Sequence, residues 1–274
     1  LGGDDGVAVE RLVASAPPEQ PVRVSIRLDV EMVPDLQTSI VWGTLPGMTD
    51  ETIYVMAHRD GWFDASGDNA AGVASMLGLA QHYSSIPQSE RRRTLVFMGI
   101  DGHHNSGEGS SVGGRWLVEN REELFGQTAL VINAEHPSTV QTSSRPRWAS
   151  TVREMGPGQD IFWTNSYTGQ QWYAGGTSRP ELQQITVNAF REFGVTYYLE
   201  PNHWPPAGDL SRIFQYVPGV ATSDFYHYFH TDLETPETVP WTGLEASTRA
   251  YARIIDEVNK QDLSVFKRPE EVGQ

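Results

Sequence analysis

No cysteine occurs among the 274 residues of the chain. Disulfides, thiolate nucleophiles and cysteine-ligated zinc are thereby excluded, so any metal must be held by imidazole nitrogen and by oxygen. Basic residues are also scarce: 20 Lys and Arg stand against 35 Asp and Glu, a formal net charge of −15. Nucleic acid needs a basic surface and is not expected as a partner. A neutral or cationic small substrate is compatible with this charge. No run approaches the roughly 18 uninterrupted apolar residues of a membrane span. No signal-like apolar segment stands at the start, and with Leu1 rather than methionine first the chain reads as a processed product.

What is present is a set of short apolar runs separated by helical patterns. Thr52–Ala57, Thr94–Ile100 and Ala129–Ala134 read as centrally buried strands. Ser39–Leu45 and Val217–Thr222 add two more strands, and the alternation in Pro21–Val30 predicts a half-buried, antiparallel one. Helices are expected at Asn69–Tyr83, with Val73, Leu77 and Ala80 on one stripe, and at Gly113–Asn120, Glu181–Phe193 and Leu244–Val258. A short helical turn is expected around Val7–Ala14, and 138–180 reads as an irregular excursion rich in Trp and Tyr. This order predicts an α/β three-layer sandwich, with a mostly parallel central sheet, antiparallel edge strands and helices on both faces. The chain is long enough for one large core.

Histidines and acids cluster where the apolar runs end. His58 and Asp60 follow the first buried run, His103-His104 the second and Glu135-His136 the third, while His227 and His230 lie near the C-terminus. The C-terminal edge of a parallel sheet is where ligands bind, so these groups are expected to converge in one crevice. Asp68 stands at the mouth of the Asn69–Tyr83 helix, where a carboxylate can cap free amides or bridge two ions. Each feature alone has a structural explanation in a cap, a polar turn or aromatic packing. Their joint occurrence at strand ends points to a metal centre. His82 and His136 are read as lying outside it.

This order resembles the M28 zinc aminopeptidases: His-x-Asp, then Asp-Asn-Ala-x-Gly, an acidic pair after a strand, a lone acid after the next, and a late His-Thr. The likeness extends to Gly109-Ser110, Gly208-Asp209 and Glu234-Thr235-Pro236. It implies a metallopeptidase domain over 39–262, with 1–38 as an N-terminal segment bearing an edge strand and 263–274 as a tail. The opening resembles the return from a protease-associated insert, which implies a missing N-terminal domain of a longer protein. The resemblance implies a first metal held by His58, Asp68 and Glu135, and a second held by Asp68, His104 and His230. Asp60 would orient His58. It implies one or two zinc ions, a peptide or small amide substrate and an extracellular or periplasmic location.

One departure stands out. Where the family has Glu-Glu, this chain has His103-His104. The family's first glutamate takes the proton from the attacking water and its second is a ligand. Imidazole can replace the ligand at position 104. His103 becomes the candidate base, its ordinary pKa lying near neutrality. Glu108 is a second candidate for ligand or base. The departure keeps two other readings open: a peptidase-fold protein that has lost catalysis for a binding role, and an acyltransferase of the glutaminyl-cyclase kind.

Overall fold

A computed structural model describes residues 3–31, 33–104, 111–139, 141–144, 161–164, 170–174, 180–195, 197–199, 206, 208–223 and 228–267. The chain divides into two compact units, 1–37 with 142–162, and 38–141 with 163–274. In the first unit helix α1 spans Gly3–Ser15, and a stretch without regular secondary structure follows. The strand expected within Pro21–Val30 is not formed, and Val24, Ile26 and Leu28 are 71–85% exposed. Alternation offers an apolar face, but a strand needs a neighbour for its amides and carbonyls. Among the described residues none pairs with this one.

The second unit is built on seven strands: β1 Val41–Leu45, β2 Thr49–His58, β3 Arg93–Ile100, β4 Thr128–Ala134, β7 Gln170–Ala174, β8 Tyr197–Leu199 and β9 Gly219–Ser223. Their order in the sheet is β1-β3-β2-β4-β9-β7-β8. The central pairs β3/β2, β2/β4 and β4/β9 are parallel, whereas β1 runs against β3 and β7 against β9. Strands β5 Gln141–Ser144 and β6 Ile161–Thr164 form a separate two-stranded sheet. The stretch 138–180 is therefore not wholly irregular, since β7 is a full member of the main sheet. Its sequence, Gln170–Ala174, has no apolar run to announce it, and its place comes from the backbone ladders with β8 and β9.

Both faces of the sheet are covered, so its strands are apolar on both sides. Ile53, Val55, Leu95, Leu130 and Ile132 point to one face. They pack with residues of α2 Ala71–Ser84, α5 Pro180–Phe193, α7 Trp241–Asn259 and α8 Leu263–Phe266. Tyr54, Met56, Val96, Met98 and Val131 point to the other. They meet residues of α3 Val112–Glu119, α4 Arg121–Phe125 and α6 Leu210–Ile213. The buried stripe of α2 is Ala71, Ser75, Met76, Leu79 and Tyr83, rotated from the expected one, and Leu77 is 60% exposed. Small residues set that rotation. A Cβ on Gly72 would lie 2.1 Å from the Ala134 carbonyl oxygen, and Ser75 shares a 2.8 Å hydroxyl bond with Thr248 of α7.

Arg93, fully buried at the start of β3, ties the layers together. Its guanidinium donates to Glu51 and to the carbonyls of Val258 and Gln261 at the end of α7, at 2.6–2.8 Å. Helix C-termini leave carbonyls without intrahelical donors, and a buried cation satisfies them. With the layers locked, the C-terminal ends of β2, β3, β4 and β9 open along one edge, where His58, His103-His104, Glu135-His136 and His230 lie close after them.

Candidate metal centre

Two carboxylates organise the site. Asp60 lies just past β2 and accepts the main-chain N–H groups of His103 at 3.2 Å and His104 at 2.8 Å, which holds the turn after β3 in place. Burial alone would raise its pKa. The His104 contacts, the His103 amide and the charge of His58 outweigh that and hold Asp60 well below the ordinary carboxylate range. His58 is oriented by the main-chain carbonyl of Asp60, 2.9 Å from its Nδ1, whereas the nearest Asp60 carboxylate oxygen is 3.7 Å away. With Nδ1–H given to that carbonyl, His58 turns Nε2 towards the site.

Asp68 is the centre. It sits in a distorted turn, Ser66–Ala70, with non-helical backbone at Asp68 and Asn69 and a cis peptide between them. The cap expected of Asp68 is supplied by Asn69, whose Oδ1 accepts the Gly72 N–H at 3.1 Å. The turn sends the Asp68 carboxylate towards the sheet edge. Its Oδ1 lies 2.9 Å from His58 Nε2 and 2.8 Å from His136 Nε2. Its Oδ2 lies 3.2 Å from His104 Nε2 and 2.8 Å from His230 Nε2. Burial opposes its ionisation, but the imidazoles of His104, His136 and His58 overcome this and keep Asp68 far below the usual carboxylate range.

Glu135 follows β4 and is 4% exposed, its Oε2 accepting from Asn133 Nδ2 at 2.8 Å. Gly208, at φ +73°, makes room for it, since a Cβ there would stand 1.4 Å from Glu135 Oε2. His103 stacks on His58 with ring centres 4.1 Å apart and places Nδ1 3.1 Å from the buried Asp209 carboxylate. Its Nε2 lies 3.9 Å from Glu135. Burial depresses its pKa, but the Asp209 bond and the charges of Asp209 and Glu135 hold His103 up at about 9. For His104 burial again opposes protonation, and Asp60 and Asp68 raise it to about 10.

The expected set His58, Asp60, Asp68, His103, His104, Glu135 and His230 is thus gathered in one place. A cavity of about 350 Å³ is lined by Trp62, Asp68, His103, His104, Glu135, Phe229 and His230. Glu108, His203, Trp204, Tyr226, His227 and the side chains of Trp148, Trp163, Trp172 and Tyr173 lie outside the described residues. Exposed His82 stands apart on α2. Four further residues, given no role in the centre by the sequence, belong to it by contact. His136, set aside as outside the centre, reaches Asp68, and its position directly after Glu135 was the available signal. Asp209 holds His103. Glu234 accepts the main-chain N–H groups of both Asp68 and His230, clamping two distant segments. Trp62, half-exposed, forms one wall near His104 and His230.

The model of peptidase family M28 matches residues 41–255, most of the chain. The chain belongs to peptidase family M28. No curated protein matches it. Among solved structures it is similar to BSAP, a zinc aminopeptidase from Bacillus subtilis, at 13% identity and TM-score 0.59, over 84% of this chain and 53% of that one. LapB from Legionella pneumophila matches at 14% identity and TM-score 0.54, over 81% and 56%. An Acidobacteriales bacterium glutaminyl cyclase matches at 12% identity and TM-score 0.54, over 81% and 74%. The chain therefore spans about half the length of the BSAP and LapB structures it matches. At these identities the likeness establishes the fold alone, and together with the family match it supports a metal-dependent peptidase-like fold.

Family and fold imply a divalent metal, and the M28 site accommodates one. His58 Nε2 and Asp68 Oδ1 are buried and in contact, yet neither has a hydrogen-bond partner. Buried polar atoms left so are costly unless a cation or proton takes their lone pairs. The Nε2 atoms of His104 and His230 lie 3.1 Å apart, a separation at which two lone pairs repel unless a proton or cation lies between. Within the described residues His58, Asp68, Glu135 and His136 form one group with ligand-type atoms all within 4.8 Å, and Asp68, His104 and His230 form another. A third group, His58, Asp60 and His104, uses an acid whose oxygens already accept the two main-chain amides.

Proposed function

We propose that this chain carries the catalytic centre of a zinc-dependent hydrolase of peptide or aminoacyl amide bonds, aminopeptidase-like, in which His103 takes the proton-transfer position. The observation that carries this is the convergence of imidazole nitrogens on both oxygens of Asp68 at the floor of a cavity open to solvent. His58, Asp68 and Glu135 would hold one ion and Asp68, His104 and His230 a second. Such an ion polarises a carbonyl and makes water more acidic.

The chain's own residues complete the proton path. His103 Nδ1–H donates to Asp209, which is 1% exposed, so the Nε2 lone pair points towards Glu135 and the cavity. That nitrogen accepts a proton from a water in the cavity and returns it to the departing amine. Asp209 fixes the tautomer and stabilises the imidazolium while the proton is held. A dication beside His103 opposes its protonation and lowers its pKa from the metal-free value. Trp62 and Phe229 give the cavity an apolar wall, suited to an apolar side chain of the substrate.

A panel of aminoacyl-p-nitroanilides, assayed alongside metal content, tests the reading. Turnover that requires metal and falls with His103→Ala supports it, and His103→Glu should retain or raise activity. Metal bound without turnover in either form points instead to a binding role. Cyclisation of N-terminal glutamine with no amide hydrolysis points to acyl transfer.

A further inference from the structure

Asp68 has two sides, and they differ in burial, charge and access. Its Oδ1 meets His58 and His136, 0% and 2% exposed, and Glu135, 4% exposed, belongs to the same group of ligand-type atoms. On its Oδ2 side stand His104 and His230, whose side chains are 14% and 37% exposed. The cavity is lined by Asp68, Glu135, His104 and His230, but by neither His58 nor His136.

His136 is placed with care. Its backbone is left-handed, φ 44°, a conformation that L side chains rarely adopt, and its N–H is 3.3 Å from Asn69 Oδ1. Phe229 packs edge-on to its ring at 5.2 Å. This conformation turns the imidazole inward beside Glu135, so that two consecutive residues present ligand atoms to one place. Structural zinc sites are closed by four protein ligands, whereas catalytic ones keep a position open. Two carboxylates and two neutral imidazoles neutralise a dication, while one shared carboxylate with two imidazoles leaves net positive charge.

We propose that His136 completes a closed four-residue site with His58, Asp68 and Glu135 that retains a structural cation, and that Asp68, His104 and His230 form an open, exchangeable site. The inference rests on the metal-dependent reading above and extends it. It divides two positions that the family resemblance alone treats alike.

The test uses the full chain, stripped with chelator and titrated with zinc or cobalt(II). Two classes of site are expected, the tighter surviving dialysis against a weak chelator. His136→Asn is the chosen variant because asparagine tolerates left-handed backbone. It should weaken the tight class by more than the roughly 100-fold upper end seen for residues that only support a ligand. Urea unfolding of the metal-free variant should match that of the parent. If His136→Asn does not fold, the second measurement uses His230→Ala loaded with one equivalent. X-ray absorption should count two imidazoles on zinc, and cobalt(II) should give the intense visible bands of four-coordination. Zinc affinity unchanged in His136→Asn, or one imidazole in His230→Ala, overturns the role of His136 while leaving metal dependence intact. Absence of metal binding by the parent chain overturns the underlying reading as well.

Discussion

At the scale of single residues the site is an arrangement of proton competition. In the metal-free protein His103 and His104 are raised to about 9 and about 10, against an ordinary histidine value near 6.5. A raised pKa in the folded state stabilises it fully below the unfolded value, and that contribution is lost as pH climbs through the folded one. The chelated protein should therefore weaken between roughly pH 7 and 10, seen as a falling urea midpoint. Metal uptake should show the opposite trend. Zinc must displace those protons, so its affinity should rise over the same window, and calorimetry in buffers of different ionisation enthalpy should detect proton release. At His103 itself, replacement by alanine should lower kcat by about 10²–10⁴-fold. Zinc content, measured by atomic absorption, should be unchanged if its role is proton transfer rather than ligation. The convergence of these side chains was legible at His58 and His104 because they stand where apolar runs end, and at Asp68 and His230 from the motif order that resembles M28. Asp209 and His136 were not, since contacts made across the fold assign them.

At the scale of elements, small residues and strand ends determine where the chemistry falls. Gly208 combines a left-handed φ with the close approach of the Glu135 carboxylate. Gly208→Ala should displace Glu135 and lower both zinc retention and the thermal midpoint, with the metal-free midpoint falling less. Leu130 of β4 is fully buried in the core on one face of the sheet. Leu130→Ala should cost about 2–5 kcal/mol in urea unfolding, as large-to-small changes in packed cores do. Strands β2, β3 and β4 were evident because double-sided burial makes their runs apolar throughout. The Pro21–Val30 alternation had equal local merit and formed no strand, and β7 had little merit and formed one. The difference lies in pairing, which periodicity does not report.

For the second unit as a whole, Arg93, fully buried, is one of the polar ties that join the layers. Arg93→Ala would leave the α7 carbonyls and Glu51 without their cation and should cost about 3–5 kcal/mol, measured as a shift in urea midpoint. Metal removal acts at the same scale. A cation that binds only the folded chain adds about 2.7 kcal/mol at 100-fold excess over its Kd, so chelator should lower the unfolding midpoint and zinc should restore it. No helix among the described residues is long and apolar enough to cross a membrane.

The amino-acid sequence by itself determined the layered α/β class, the oxygen-and-imidazole character of the centre, and the departure His103-His104. Those follow from local periodicity and from residue types, which need no partner to be read. Only the tertiary structure decided that Asn69 rather than Asp68 caps α2, that His136 faces Asp68 beside His58, and that Asp209 holds His103. The last two depend on segments tens of residues apart meeting at one sheet edge, and the Asn69 cap on a turn that also seats Asn69 against the Ala134 carbonyl; such distances are set by packing.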